Sequence, residues 1–240
     1  MKFRKKSSNY WISLSDIMTG LMIIFMFIAI SYIIEVQKKQ EEKDQIVKDY
    51  VQTKVELYEE LKKEFENDFR EEKWNAVLDR DLSIRFLNET VLFDYDKADV
   101  KPEFQAILLD FFPRYLNIIL KEKYRDKIAE IRIEGHTDSK GKYFYNVYLS
   151  QTRTRNVLEF LLSKCLKNSH KLSNKERELL IFWLTANGFS SGRTLDSGGQ
   201  FTLFSALPAD DQKSRRVEFR IITASEKLVE EVAKYIDGNN

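Results

Sequence analysis

Three patterns of apolar and polar positions succeed one another along the chain. From Ile17 to Ile34 eighteen residues carry no formal charge, and as an α-helix they cover about 27 Å, close to the ~30 Å hydrocarbon core of a bilayer. Adding Tyr10 to Asp16 predicts a single transmembrane helix over 10–34, preceded by a short segment 1–9. Between 35 and 80 the chain turns dense in Lys and Glu, lacks Gly and Pro, and places apolar residues at Val47, Tyr50, Val51, Val55, Tyr58, Leu61, Phe65 and Phe69. Steps of three and four predict a long amphipathic helix, close to a heptad seam although its aromatic residues disfavour a regular coiled coil. From Asp81 the pattern is mixed. LSIRFL (82–87), VLF (91–93), IAEIRIE (128–134), 184–188 and RRVEFRII (215–222) read as strands, and 102–124, 146–165 and 174–184 read as helices. That order predicts an α/β fold, an α+β sandwich with helices on one sheet face, over 81–224. Ser225 caps an expected last helix that Gly238 ends, within a 225–240 tail.

Charge orients the span. Lys2, Arg4, Lys5 and Lys6 precede it, whereas EVQKKQEEKDQ after it mixes signs, so the positive-inside bias places the N-terminus in the cytoplasm and the bulk of the chain outside it. A cleaved signal peptide ending near Ala29-Ile30-Ser31 is the rival; the run is longer than a signal core and carries an acid. The net charge of +1, 39 basic against 38 acidic residues, gives no signature for nucleic acid. One cysteine, Cys165, excludes an internal disulfide and leaves a buried thiol or an intersubunit bridge.

Asp16 is the acid in question. A carboxylate inside a transmembrane helix costs on the order of 2.5–3.5 kcal/mol, so such residues face a protein interior or a wet cavity and serve function. Helical spacing puts Ser13, Asp16, Gly20 and Phe27 near one face with Thr19 beside them, and small residues there let another helix approach. The alternative is that Asp16, five residues after Trp11, reaches the headgroup boundary.

Trp11, Asp16, Ile17, Met18, Thr19 and Met22 resemble the transmembrane segment of the MotB family of ion-driven stator subunits. The resemblance implies that Asp16 carries H+ or Na+, that Trp11, Thr19 and Gly20 line the channel, and that the chain is a homodimer inside a multi-subunit MotA-like (ZorA-like) membrane ring. It also implies a plug or linker role for 35–80, against a plain solvated helix.

In the C-terminal half the chemistry gathers at GHTDSKG, 135–141. Gly135 permits a sharp turn after the strand, Asp138 lies at the strand's C-terminal end, and Arg153 follows fifteen residues later. A fixed carboxylate and a fixed guanidinium can grip a zwitterion, or can simply pair with each other. GHTD, Asn146, LSQTR (149–153), SRRVEF (214–219) and LFDYDKADVKPE (92–103) resemble the OmpA-like peptidoglycan-binding domain, over roughly residues 81–224. The resemblance implies that Asp138 and Arg153 bind the diaminopimelate of the peptidoglycan stem peptide, with Thr137, Asn146, Asp96 and Arg215 around them. Two features depart from the family: Ser214 replaces an Asn, and 165–184 is longer and adds a helix.

No metal site, cofactor or enzyme is expected. Asp94, Asp96 and Asp99 lack the Gly and Glu of a calcium loop. His136 and His170 show no partners at ligand spacing, and His136 is expected to hydrogen-bond within its turn. The combined reading is a wall-anchored stator of the bacterial inner membrane with a periplasmic binding domain. A passive wall anchor is the alternative. Within the stator class, the nine residues before the span and the wording SDIMTGLM resemble the ZorB branch of anti-phage Zorya systems more than flagellar subunits.

Overall fold

The computed structural model describes residues 10–87, 89–166 and 172–226. The basic segment 1–9, His170, the expected last helix beyond Glu226 and the side chains of Trp11 and Cys165 lie outside what is described. The chain forms two compact units, Met1–Lys48 and Asp49–Asn240.

Helix α1 runs Tyr10–Phe65. From Leu14 it is long and apolar enough to cross a membrane: an 18-residue window reaches a mean hydropathy of 2.5, and none of it is buried within the chain. No Gly or Pro interrupts the helix after Gly20, and pairs four residues apart support its polar part, Lys39 to Glu35 at 2.7 Å and Gln40 to Asp44 at 2.9 Å. Each such pair contributes a few tenths of a kcal/mol (~0.2–0.5).

The second unit is built on a five-stranded sheet in the order β1-β2-β5-β3-β4, with β1 Ala76–Leu78, β2 Ser83–Phe86, β3 Ile128–His136, β4 Leu184–Gly188 and β5 Arg216–Thr223. Neighbours are antiparallel except β3 and β4, which are parallel. Register aligns Ile84, Phe219 and Ile133 across three strands, and period two then puts Phe86, Ile221 and Ile131 on the same face. That face is the core. Phe219 meets Phe111 of helix α3 (Pro102–Ile119) at 5.2 Å, while Phe86 meets Phe104 and Phe111 at 5.5 and 5.4 Å. Val157 of helix α5 (Tyr143–Phe160) and Leu180 and Trp183 of helix α6 (Asn174–Trp183) complete it.

The other face alternates into charge. Glu134 stands opposite Glu218 and Arg132 opposite Arg220, arrangements that repel unless neighbouring opposite charges offset them. Those partners are present: Arg216 to Glu218, Arg193 to Glu134 at 3.3 Å, Arg132 to Glu130 at 2.9 Å and Arg220 to Glu226 at 3.0 Å.

Several expectations are corrected. The sequence pattern places the domain boundary at 81, but Leu57, Leu61 and Phe65 of α1 are fully buried in the core, and Phe65 packs on Phe111 at 5.3 Å. The stretch 91–93 is not a strand: Glu89–Leu92 forms a one-turn helix, α2, and Phe93 packs on Phe104 at 6.3 Å. The helix expected over 102–124 divides, because Lys121 turns extended (ψ 139) before the short α4, Glu122–Arg125. The helix expected to reach Cys165 widens into a π-turn at Leu161–Leu166. The lengthened connection supplies core, since α6 opens on a Ser173/Glu176 capping box and buries Leu180 and Trp183.

Ion pairs clamp the end of α1 to this core. Arg114 donates to Glu64 and Asp68, both at 2.7 Å, and Glu60 receives Lys121 at 2.6 Å and Lys123 at 2.7 Å. Burial would raise the Glu60 carboxyl, but hydrogen bonds from Lys121, Lys123 and Tyr124 outweigh it and hold the pKa at about 2, against an ordinary 4.5. A depressed acid contributes stability above its unfolded pKa and loses it as pH falls through the folded one. The expected result is that Glu60→Gln lowers the melting temperature at pH 7 and that its deficit against wild type shrinks between pH 4.5 and about 2. A deficit constant across that window would exclude the clamp as its cause.

Candidate functional site

In the first unit, Asp16 lies in the helical run with Thr19 and Gly20 one turn further on. Asp16 and Thr19 are exposed within the chain, and the Thr19 hydroxyl donates to the Ser15 carbonyl at 2.8 Å. A Cβ added to Gly20 would meet nothing within 4 Å, so the position is a notch in the helix surface beside the carboxylate. Trp11 falls in the same helix.

In the second unit, a cavity of about 180 Å³ opens at the C-terminal end of β3, and Asp138, Arg153, Thr137, Asn146, Asp96 and Arg215 all line it. The backbone around Asp138 is fixed from several sides. Thr137 N–H donates to Ser190 O at 3.0 Å, Lys140 N–H to Asp138 Oδ1 at 2.9 Å, and Asn146 Nδ2 to Lys140 O at 2.8 Å. Gly141, at φ +89, lets the loop fold back to the start of α5.

Asp138 finds its ion-pair partner in Arg215, which donates to Oδ2. Arg153 donates from Nε to Lys97 O at 2.8 Å and from Nη2 to Asp94 O at 3.4 Å, and its guanidinium lies 4.8 Å above the Phe93 ring. Arg153 therefore carries the 94–97 loop as well as the cavity wall. Asp96, at φ 57, is held by the Tyr145 hydroxyl at 2.6 Å. The cavity lining includes three cations, Lys140, Arg153 and Arg215, and two carboxylates, Asp96 and Asp138. It thus offers both signs to a zwitterion, with one positive charge in excess.

Two glycines set this geometry by close approach. A Cβ on Gly135 would lie 2.6 Å from Thr154 Cγ2 and 2.9 Å from Ser150 O, and one on Gly188 only 2.3 Å from the Gln151 backbone nitrogen. Helix α5 rests directly on β3 and β4, which brings Arg153 over the strand end. The turn expected at Gly135 is corrected accordingly: the residue is paired within β3, opposite Val217 and Gly188.

His136 also departs from expectation. Its ring is 1% exposed, neither nitrogen has a hydrogen-bond partner, and it stacks on Phe189 at 5.4 Å. Nε2 lies 3.7 Å from both Glu134 and Glu218, so acidic neighbours exist across the sheet face. These three side chains have ligand atoms within 4.8 Å of one another. Arg216 and Arg193 already occupy the two carboxylates, and burial together with Arg216 pushes the imidazole down to about 3. The group is a neutral histidine within an ion-paired scaffold. Ser214 is fully buried and holds the Leu195 backbone through its hydroxyl, receiving Leu195 N–H at 3.0 Å.

Sequence reasoning singled out neither Lys140 nor the aromatic pair Tyr95 and Tyr145, which also line the cavity. The signal available for Tyr145 was its place in the first turn of α5, beside Asn146.

The OmpA family matches residues 92–199. Zorya protein ZorB of Escherichia coli (strain ATCC 8739, Crooks) is 34% identical over 241 residues, covering 95% of this chain and 94% of that protein. A second Zorya protein ZorB, from Escherichia coli O139:H28, is 28% identical over 213 residues, covering 88% and 79%. Among solved structures, a putative MotB like protein from Desulfovibrio vulgaris aligns with a TM-score of 0.46 at 21% identity, covering 71% of this chain and 91% of that one. With a third of its residues identical over nearly the full length of both proteins, and an OmpA-like domain following a long apolar helix, the chain belongs to the ZorB family of Zorya proteins.

Proposed function

We propose that this chain is the wall-anchored stator subunit of an ion-driven rotary motor acting in anti-phage defence. Two copies stand in the bacterial inner membrane inside a ZorA-like ring, N-termini in the cytoplasm and OmpA-like domains in the periplasm. Asp16 carries the ion. The observation that bears the reading is the placement of that carboxylate beside a notch in the otherwise uncharged first part of α1, residues 10–34. A charge there is costly unless a proton or sodium ion neutralises it, and each charge crossing gains about 2.3 kcal/mol per 100 mV. A passive anchor would insert more readily with Leu at that position.

The fixed point of the motor is the cavity of the OmpA-like domain. Asp138 accepts from the side-chain ammonium of diaminopimelate, and Arg153 with Arg215 takes its carboxylate. Charge-assisted bonds of this kind contribute roughly 1.5–3 kcal/mol each. Detergent-solubilised full-length protein is expected to sediment with isolated sacculi, and free diaminopimelate is expected to release it. Sedimentation unaffected by millimolar diaminopimelate (a level on the order of weak single-residue affinities) would refute this assignment of the cavity.

A further inference from the structure

The cavity that takes the charged head has room for about 180 Å³, whereas the wall polymer continues beyond it as peptide and sugar. The rim it meets is aromatic. Tyr95 is 91% exposed on the 94–99 loop and lines the cavity with Tyr145. Tyr148, 69% exposed, follows Tyr145 by three residues on α5 and stands next to it on the helix surface. Tyr145 is tied to Asp96 through its hydroxyl, so the loop bearing Tyr95 and the helix bearing Tyr148 are held together. Tyr95 and Tyr145 belong to the lining of the charged cavity, and Tyr148 lies one turn further along α5.

The chemistry of that edge selects its occupant. Exposed phenol rings offer an apolar face to C–H groups and a hydroxyl to polar ones, which suits a sugar ring bearing both. Around Tyr95 the chain sets Asp94, Asp96 and Asp99 against Lys97 and Lys101, and Asp94 pairs with both lysines, so the loop offers an anionic lipid surface no excess of positive charge, whereas an N-acetylated sugar whose carboxyl is amide-linked to peptide is neutral and needs none. We infer that Tyr95 and Tyr148 form a glycan subsite beside the stem-peptide cavity, on which a sugar ring of the same polymer stacks. The inference rests on the wall-binding reading above.

The test titrates full-length protein in detergent with two soluble probes, a disaccharide-tripeptide ending in diaminopimelate and the same tripeptide without sugars. Wild type is expected to bind the sugar-bearing probe about tenfold more tightly, equivalent to ~1.4 kcal/mol. Tyr148→Ala, outside the cavity lining, is expected to remove that advantage and leave tripeptide affinity unchanged; Tyr95→Ala is expected to weaken the sugar-bearing probe more than the tripeptide, while Tyr95→Phe and Tyr148→Phe, which keep the ring, retain most of the advantage. Equal wild-type affinity for the two probes overturns the glycan subsite while the cavity assignment stands, as does equal weakening of both probes in the Ala variants. Binding of neither probe removes the wall-binding reading and this inference with it. Loss of vesicle binding in the Ala variants, with the probe ratio unchanged, assigns the rim to lipid instead and overturns it too.

Discussion

Asp16→Asn is expected to abolish phage protection entirely while the chain reaches the membrane at its normal level. Asn keeps the size of Asp and removes the group that a proton or sodium ion can neutralise. The substitution also lowers the cost of placing residue 16 in hydrocarbon, on the order of 2.5–3.5 kcal/mol for the acid, so insertion has no reason to fail. Gly20 and Thr19 are untouched, and the notch beside residue 16 keeps its shape. Plaque counts read with immunoblots of the membrane fraction decide the matter. Full protection in Asp16→Asn cells at normal protein level would leave the carboxylate without a role in ion carriage.

Loss of wall binding is the second large effect. Asp138→Ala is expected to weaken sacculus binding by tenfold or more, the equivalent of one charge-assisted bond at roughly 1.5–3 kcal/mol. Arg153→Ala is expected to do the same by a second route, because it removes a cationic wall of the cavity and releases the carbonyls of Lys97 and Asp94. Asp138 also holds Arg215 and the Lys140 amide, so thermal melts of both variants accompany the pelleting assay. Variants that melt near wild type yet stay in the supernatant identify the two side chains as ligand contacts. Retention of both on sacculi would reduce Asp138 to a partner of Arg215.

The alternating stretches made most of the sheet legible. IAEIRIE and RRVEFRII have a period-two signal strong enough to fix β3 and β5 within two residues of their ends. The end of α1 was not legible for a physical reason: Leu57, Leu61 and Phe65 at steps of four look the same whether the stripe meets a second helix or the domain's own core. Strand β1, three residues long, is too short to show a period. The alternation in β3 and β5 does not show that the polar positions Glu134, Arg216 and Glu218 are buried; Arg193, distant in sequence, pairs with Glu134, and Arg216 pairs with Glu218 on its own strand.

The candidate site divides in the same way. Its motifs were visible because short backbone turns need fixed residues at fixed spacing, and the structure brings all six named side chains to one cavity. The pairing of Asp138 with Arg215 was not, since 77 positions separate them and only the antiparallel register of β3 and β5 brings them together. Gly135 shows how one residue type serves two needs: sequence suggested a turn, and the structure uses the missing Cβ to seat α5.

On the proposed stator function, ion carriage and anchoring are serial requirements, because an unanchored dimer would turn with its ring and dissipate the ion's energy. The measurement that bears most directly on this is plaque formation on cells carrying Asp16→Asn, Asp138→Ala or both, each at normal membrane level. A serial mechanism requires that all three lose protection to the same extent, the double variant no worse than either single one. Protection that persists in Asp138→Ala cells whose protein no longer binds sacculi would contradict it, even with Asp16 essential.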